Sequence, residues 1–198
     1  MTGGRPSRVR TGTPGDAPAV AALHTEHLPE GFLVTLGPRF LRRLYARAAR
    51  SPRAFLVVAE DDAGVHGFLA VAEDTGRFYR DFLVRDGVAA GLAAAPNVAR
   101  SPRRVWETLR YGMGGEDDLP RAEVLAIAVS GRARGRGVGR ELLAAGLGEL
   151  GRRGVDTARV VTAVDNDAAL RMYEDAGFRR HRTTEVHAGV AQQVLVWP

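Results

Sequence analysis

A basic, glycine-rich loop is the part of this sequence best suited to carry chemistry. An apolar run over residues 124–129 precedes the loop and predicts a buried strand, and apolar residues at helical spacing follow it. The loop reads, in order, Arg134, Gly135, Arg136, Gly137, Val138, Gly139 and Arg140. A strand–loop–helix junction aims backbone N–H groups and the positive end of the helix dipole at one place. The loop therefore predicts a site for a phosphate-bearing ligand.

Three familiar glycine loops fit this stretch poorly. A Walker loop needs a lysine to reach the phosphates, and the chain contains no lysine. The dinucleotide fingerprint G-x-G-x-x-G fails because Gly139 follows Gly137 one residue too early. The G-x-S-x-G elbow of hydrolases fails because Ala128 stands two residues before Ser130. A different class of phosphate-binding protein is indicated.

The composition narrows the class of protein further. All 28 basic residues are arginine, the formal net charge is +5, and cysteine is absent. The positive charge favours anionic ligands, and the lack of cysteine excludes disulfides, thiolate metal sites and cysteine nucleophiles. Residues 1–14 lack the apolar core of a signal peptide, and no apolar run approaches the roughly 20 residues that span a bilayer. We therefore expect a soluble cytoplasmic protein with no membrane partner.

The elements around the loop predict a mixed α/β sheet with helices on both faces. Strands at 54–59 and 65–72 are expected to form a hairpin, followed by a mostly helical insertion over residues 74–120. After the loop helix, a strand is expected at 157–164 and a short helix at 167–176. The insertion carries too few large apolar residues for a core of its own, so a second domain is not expected.

Two sequence patterns, each on its expected element, resemble one known superfamily. The spacing Arg134-x-x-Gly137-x-Gly139 is similar to the R/Q-x-x-G-x-G/A signature of the Gcn5-related N-acetyltransferase (GNAT) superfamily, which places it between a central strand and a long helix. A second matching pattern falls on the next helix and comprises Asn166, Ala169, Tyr173, Gly177 and Phe178. The resemblance is strong over residues 121–180.

This resemblance implies the GNAT, or acyl-CoA N-acyltransferase, fold. The fold has a central mixed β-sheet flanked by helices, here with the helical insertion between the third and fourth strands. It implies one domain over residues 1–198, with acetyl-CoA as co-substrate and no metal. The expected parts are N-terminal helices and a hairpin over 1–73, the insertion over 74–120, the acetyl-CoA-binding core over 121–180 and a C-terminal hairpin over 181–198.

The resemblance also implies how the co-substrate is held. The diphosphate is expected on the main-chain amides of residues 135–140, with charge added by the loop arginines. The pantetheine arm is expected along Ile127, Ala128 and Val129, with the Ile127 N–H on the thioester oxygen. Asn166 and Ala169 share a helical stripe with Tyr173. Asn166 is expected to bond the pantetheine amides, to cap its helix, or both.

Two residues are expected to move protons. By resemblance, Tyr173 is the general acid that protonates the departing CoA thiolate. Glu123 matches a glutamate that deprotonates the amine in the histone-acetylating branch of the superfamily. Its strand parity predicts that it faces the same side as Ile127. Glu60 and Glu73, at the ends of the hairpin strands, are the rival bases.

Together these features predict an acetyl-CoA-dependent N-acetyltransferase. It would transfer the acetyl group to a primary amine by direct attack in a ternary complex, and the insertion favours a small-molecule acceptor. The alternatives are a protein or peptide N-acetyltransferase and a non-catalytic acyl-CoA-binding module. A nucleic-acid partner is not expected, because no RNA- or DNA-binding motif accompanies the arginines.

The insertion leaves two hypotheses open. In the first it roofs the acceptor pocket. Its candidate lining residues are Phe78, Tyr79, Phe82, Trp106 and Tyr111. In the second, its apolar face forms a homodimer surface.

The histidines predict no metal site. His24 and His27 stand three residues apart on a predicted helix with Glu26 between them, but no further ligand accompanies them. We expect a solvated helix face there and an exposed His66 after the hairpin turn.

Overall fold

One mixed sheet forms the centre of the protein. The computed structural model describes residues 7–29, 32–98, 118–185 and 191–198. The strands are β1 (Arg8–Thr11), β2 (Ala54–Asp61), β3 (Gly64–Ala72), β4 (Glu123–Val129), β5 (Ala158–Ala163), β6 (Arg179–Glu185) and β7 (Ala191–Trp197). Across the sheet they lie in the order β1-β2-β3-β4-β5-β7-β6. Neighbouring strands run antiparallel except β4 and β5, which are parallel.

Helices cover both faces of this sheet. They are α1 (Ala17–His27), α2 (Phe32–Thr35), α3 (Pro38–Ala48), α4 (Thr75–Val98), α5 (Val138–Arg152) and α6 (Asp167–Asp175). Short 3₁₀ turns precede α1 and follow β4, at Pro14–Asp16 and Gly131–Ala133. The mixed sheet with flanking helices confirms the predicted fold class, and α4 confirms a helical insertion between β3 and β4.

The sequence at the start of helix α3 determines where this helix begins and which of its faces is buried. Gly37 has φ of 89° and Pro38 occupies the first turn, so the chain enters the helix through a residue free to take positive φ. The buried stripe of α3 comprises Leu41, Leu44, Tyr45 and Ala48, at helical spacing. The arginines between these positions are left facing outwards.

Two apolar layers stabilise the sheet from its two sides. Strand β3 alternates between them, with Phe68 in the layer under α1, α3 and α4, and Leu69 in the layer under α5 and α6. Both side chains are fully buried, which contributes about 1.5–3 kcal/mol each. Helix α5 approaches β3 so closely at Gly146 that an added Cβ would overlap Leu69.

A bulge in β4 and a split in the sheet set the geometry of the centre. The β3–β4 register shifts between Ala70 and Val71, so Leu125 is the extra residue in β4. The parallel pairing of β4 with β5 extends over only two residues of β4, Glu123 and Val124. Beyond them the two strands form no ladder, which leaves a gap between β4 and β5.

Helix α4 accounts for the first part of the predicted insertion. It continues through Gly87 to Val98, and residues 99–117 of the expected insertion lie outside the described residues. None of the described helices is both long and apolar enough to cross a membrane.

Candidate active site

The predicted glycine loop joins β4 to α5 in a conformation that requires glycine at two positions. Gly135 and Gly137 have φ of 74° and 83°, in the left-handed region that other residues rarely adopt. Gly137 is the N-cap of α5 and provides no side-chain cap. A Cβ added at either glycine would meet no protein atom within 4 Å. The two glycines therefore leave open space beside the backbone.

The amides of the loop lack acceptors within the protein. Among the described residues, the N–H groups of residues 135–140 donate to no protein oxygen. The helical ladder begins only with the Glu141 N–H, which donates to the Gly137 carbonyl at 3.1 Å. Free amides at the positive end of a helix dipole are a favourable site for phosphate oxygens. The donor set therefore fits the diphosphate of CoA.

The three loop arginines have different surroundings. Arg134 turns back onto the protein, where its Nε donates to the Val129 carbonyl at 3.3 Å and its Nη2 lies 3.2 Å from Nδ1 of His27. Arg140 forms an ion pair with an aspartate of α6 at 2.6 Å. Arg136 is exposed and contacts no carboxylate in the described part of the chain. Arg136 is therefore the loop guanidinium most available to a ligand.

The edge of β4 that faces the gap carries unpaired main-chain groups. The Ser130 N–H donates to the His66 carbonyl of β3. Because every second residue of an antiparallel strand forms its main-chain hydrogen bonds to the same neighbour, the N–H and carbonyl of Ala128 also face β3. Ile127 and Val129 point the other way, and the β4–β5 ladder ends at Val124, so within the described residues the Ile127 N–H has no acceptor. This edge can accept an extended ligand as an added strand.

Tyr173 lies on α6 in the same apolar layer as Ile127 and Val129. It is 3% exposed, and its ring lies 5.4 Å from that of Phe178. Burial raises the pKa of the Tyr173 phenol well above its ordinary value of 10, so the hydroxyl keeps its proton at neutral pH. Within the described residues this hydroxyl forms no hydrogen bond.

Asn166 caps the helix that carries Tyr173. Its side-chain oxygen accepts a hydrogen bond from the Ala169 N–H at 3.2 Å. The capping role expected from the sequence is therefore present, and it leaves the side-chain NH₂ of Asn166 available. The expected contact of Asn166 and Ala169 with a ligand stays a prediction.

Glu123 faces a different side of the sheet from the one that its parity predicts. Because the bulge at Leu125 breaks the alternation, Leu125 joins the layer under α1 and α4 while Ile127 joins the opposite layer. The Glu123 carboxylate accepts from Arg159 Nη2 and Nε at 2.8 and 3.0 Å, and from the Thr75 hydroxyl at 3.2 Å. The expectation that Glu123 and Ile127 face the same side is therefore wrong.

The two rival carboxylates are also held by arginines. Glu60 binds Arg10 at 2.7 Å, which lowers the pKa of the Glu60 carboxyl. Glu73 binds Arg153 at 2.6 Å on the α5 side of the sheet. Of the three candidate bases, Glu123 alone lies at the point where β4 and β5 begin to separate.

Two expectations about histidines are wrong. His24 is 4% exposed rather than solvated, its Nδ1 lies 2.5 Å from the Tyr45 hydroxyl, and its ring stacks against Phe68. Burial lowers the pKa of His24 to about 4, so the imidazole is neutral at pH 7. His66 is buried as well and lies 3.1 Å from the Ser7 hydroxyl. Among the described residues, no group of three metal-binding side chains comes together.

The insertion aromatics are placed differently from their predicted role. Phe78 and Phe82 are fully buried against α3, where Phe82 meets the ring of Phe40 edge-on at 5.5 Å, so they do not line a pocket roof. Tyr79 packs partly buried at the same layer. Trp106 and Tyr111 lie outside the described residues.

The sequence reasoning missed a packing role for Gly139. A Cβ there would stand 3.1 Å from the Met172 sulfur of α6, tighter than ordinary contact. Gly139 therefore allows α5 and α6 to approach, whatever its amide binds. The spacing of the motif holds no signal of this contact, because Met172 lies on a separate helix.

Comparison with known proteins agrees with this geometry. The model of the acetyltransferase (GNAT) family matches residues 20–178. A mycothiol acetyltransferase of Nocardia farcinica is 34% identical over 110 residues, covering 54% of this chain and 36% of the relative. The chain spans only about a quarter to a third of the length of the curated relatives that it matches.

Solved structures share the fold at low identity. The ribosomal-protein-S18-alanine N-acetyltransferase of Escherichia coli has a TM-score of 0.61 at 15% identity, covering 98% of this chain and 94% of that one. YncA of Salmonella typhimurium, solved with its cofactor acetyl-CoA, has a TM-score of 0.64 at 13% identity, covering 97% and 93%. The family model spans both sequence patterns and the gap in the sheet between them, and the chain belongs to the GNAT family of acetyltransferases.

Proposed function

We propose that this chain is an acetyl-CoA-dependent N-acetyltransferase that acts on a primary amine by direct attack in a ternary complex. One observation carries the proposal. The free amides of residues 135–140 lie directly after the β4 edge on which the Ile127 N–H is unpaired. A ligand with a diphosphate at one end and an extended, amide-bearing arm at the other matches that arrangement.

The proposed roles of the binding residues follow from their donors. The loop amides, with Arg136, hold the diphosphate, while Ile127 and Val129 pair with the arm through their main chains. Acetyl-CoA supplies the acetyl group as a thioester when bound. The Ile127 N–H donates to the thioester oxygen, on which negative charge grows as the amine attacks.

The proposed proton transfers balance the reaction. The amine nitrogen forms a bond to the carbonyl carbon, the C–S bond breaks, and the sulfur leaves with the bonding electrons. Tyr173 donates its phenolic proton towards that sulfur, and its buried surroundings strengthen the hydrogen bond as charge develops there. The proton lost by the amine goes to a base, for which Glu123 is the candidate beside the gap.

The acceptor that we propose is a small molecule. The name of the mycothiol acetyltransferases favours this class, and the name of the S18-alanine enzyme favours the alternative of a protein N-terminus. The sequence match to the mycothiol acetyltransferase, 34% identical over 110 residues, supports the small-molecule acceptor, whereas the 15% identity of the S18-alanine enzyme reflects a shared fold. The same fold without turnover, as an acyl-CoA-binding module, is the remaining alternative.

A thiol-release assay tests the proposal. The protein is incubated with acetyl-CoA and a panel of small primary amines, amino sugars and peptides, and free CoA thiol is measured. We expect release with at least one small amine, and a loss of about 10²-fold in kcat in Tyr173→Phe with little change in the KM for acetyl-CoA. Calorimetric binding of CoA without release by any amine would support the binding module instead.

A further inference from the structure

A second concave surface lies away from the β4–β5 gap, between the start of α1, helix α3 and helix α4. It encloses a cavity of about 590 Å³. Three arginines of α3 line it, Arg39, Arg42 and Arg43, and its apolar walls include Pro18 and Leu92. No residue of β4 or of the glycine loop lines this cavity. We call it the arginine groove.

The arginines of this groove repel one another in the absence of a partner. Arg42 and Arg43 stand three and four residues after Arg39, the spacing at which like charges on a helix destabilise it. Arg39 also lies in the first turn of α3, where the helix dipole disfavours positive charge. Within the described part of the chain none has a carboxylate within ion-pair distance, whereas Arg47 of the same helix pairs with Asp86 at 2.5 Å.

An exposed apolar stripe on α4 continues the groove. Leu92 lines the cavity and is 72% exposed, and one and two turns back along α4 stand Val88 at 84% and Val84 at 81%. Eight helical residues span about 12 Å. A small anion held in the cavity would leave Val84 and Val88 uncovered, so the exposed surface matches a longer and amphipathic occupant.

We propose that the arginine groove and the α4 stripe dock an acidic, amphipathic segment of a partner protein. Its carboxylates would meet Arg39, Arg42 and Arg43, with bidentate geometry available to each guanidinium, and its apolar side chains would cover Leu92, Val88 and Val84. Binding relieves the repulsion within α3 and buries the stripe in one step.

Charge complementarity favours this occupant over copies or pieces of the same chain. A second copy carries a net charge of +5, which opposes docking on three arginines. The stretch of chain after α4, residues 99–117, carries four arginines against three acidic residues, so it is not acidic overall. Both are therefore poorer matches to the groove than an acidic segment.

The test uses the full-length protein saturated with CoA, so that the glycine loop is occupied. The probe is a fluorescein-labelled 12-residue peptide of Leu-Glu-Glu-Leu repeats, with a Leu-Gln-Gln-Leu peptide as its neutral match, and binding is followed by anisotropy. Wild type is compared with R39Q/R42Q/R43Q and with Val88→Asp. A charge-matched control triple replaces three exposed arginines outside the groove by glutamine, namely Arg50, Arg121 and Arg179.

We expect the acidic peptide to bind about tenfold more weakly to the groove triple and to Val88→Asp, and within threefold of wild type to the control triple. Circular dichroism and CoA binding should be the same in all variants. Equal weakening by the control triple, equal binding of the neutral peptide, or no binding to wild type at about 1 mM would overturn the proposal. So would a wild-type dimer in sedimentation that Val88→Asp dissociates, because a second copy would then occupy the stripe.

Discussion

Replacing Gly137 by alanine separates the ligand-binding role of the loop from its conformational role. Gly137 has φ of 83° and a built Cβ finds no protein atom within 4 Å, so Gly137→Ala meets no clash. Its cost to folding is the left-handed backbone penalty alone, roughly 1–2 kcal/mol. The new methyl group, however, would project into the space beside the free amides that we assign to the diphosphate.

Gly154, just after the end of α5, provides a matched control. It has φ of 73° and equally open surroundings, but it lies at the opposite end of the helix from the loop. Gly154→Ala should therefore lose the same roughly 1–2 kcal/mol of unfolding free energy in urea as Gly137→Ala. Any difference between the two variants in CoA binding then reports on the ligand alone.

Titration calorimetry with CoA measures that difference. We expect Gly137→Ala to weaken CoA by at least about tenfold, or about 1.4 kcal/mol, and Gly154→Ala to stay within about twofold of wild type. Equal CoA affinity in both variants would show that the open space at Gly137 does not face the ligand. The assignment of residues 135–140 to the diphosphate would then be wrong.

Three further predictions concern packing, pH and the base. Gly146→Ala should lower the free energy of unfolding by about 1–3 kcal/mol, because the added methyl group overlaps Leu69. Gly148→Ala, which faces open space on the same helix, should raise the free energy of unfolding by up to about 1 kcal/mol. Urea titration of both variants measures the difference. The neutral, buried His24 should make the protein about 2 kcal/mol less stable at pH 5 than at pH 7. The reason is that the imidazole of the unfolded chain takes up a proton as the pH falls below 6.5, whereas that of the folded protein does so only near pH 4. His24→Gln should therefore flatten the pH dependence of the unfolding free energy measured in urea. Glu123→Gln should lower kcat by about 10²-fold with an unchanged KM for acetyl-CoA; an unchanged kcat would leave Glu123 only its ion pair with Arg159.

Features with a local cause could be predicted from the sequence. The glycine loop and the cap at Asn166 each depend on residues a few positions apart, and the structure has them where the sequence placed them. The hairpin of β2 and β3 follows from a turn between two apolar runs. Such elements require only φ preferences and side-chain periodicity.

Features that depend on distant partners were not accessible in this way. His24 is buried because Tyr45 and Phe68 close over it, 21 and 44 residues along the chain. His66 is buried and contacts the Ser7 hydroxyl, 59 residues away along the chain. The roof proposed for Phe78 and Phe82 is wrong for the same reason, since their burial depends on α3, which no periodicity in the insertion indicates.

The bulge at Leu125 could not be predicted from the residues of β4, although it affects the proposed mechanism. Both faces of β4 are apolar, so a shift of register leaves no trace in the sequence pattern. In the structure it turns Glu123 towards α4 while Tyr173 packs on the opposite face with Ile127. The proposed base and the proposed acid then lie on opposite faces, with the split between β4 and β5 between them, which favours an amine and a thioester that approach from opposite sides. That arrangement needs no covalent acetyl-enzyme, and it is the strongest structural argument for the direct attack that we propose.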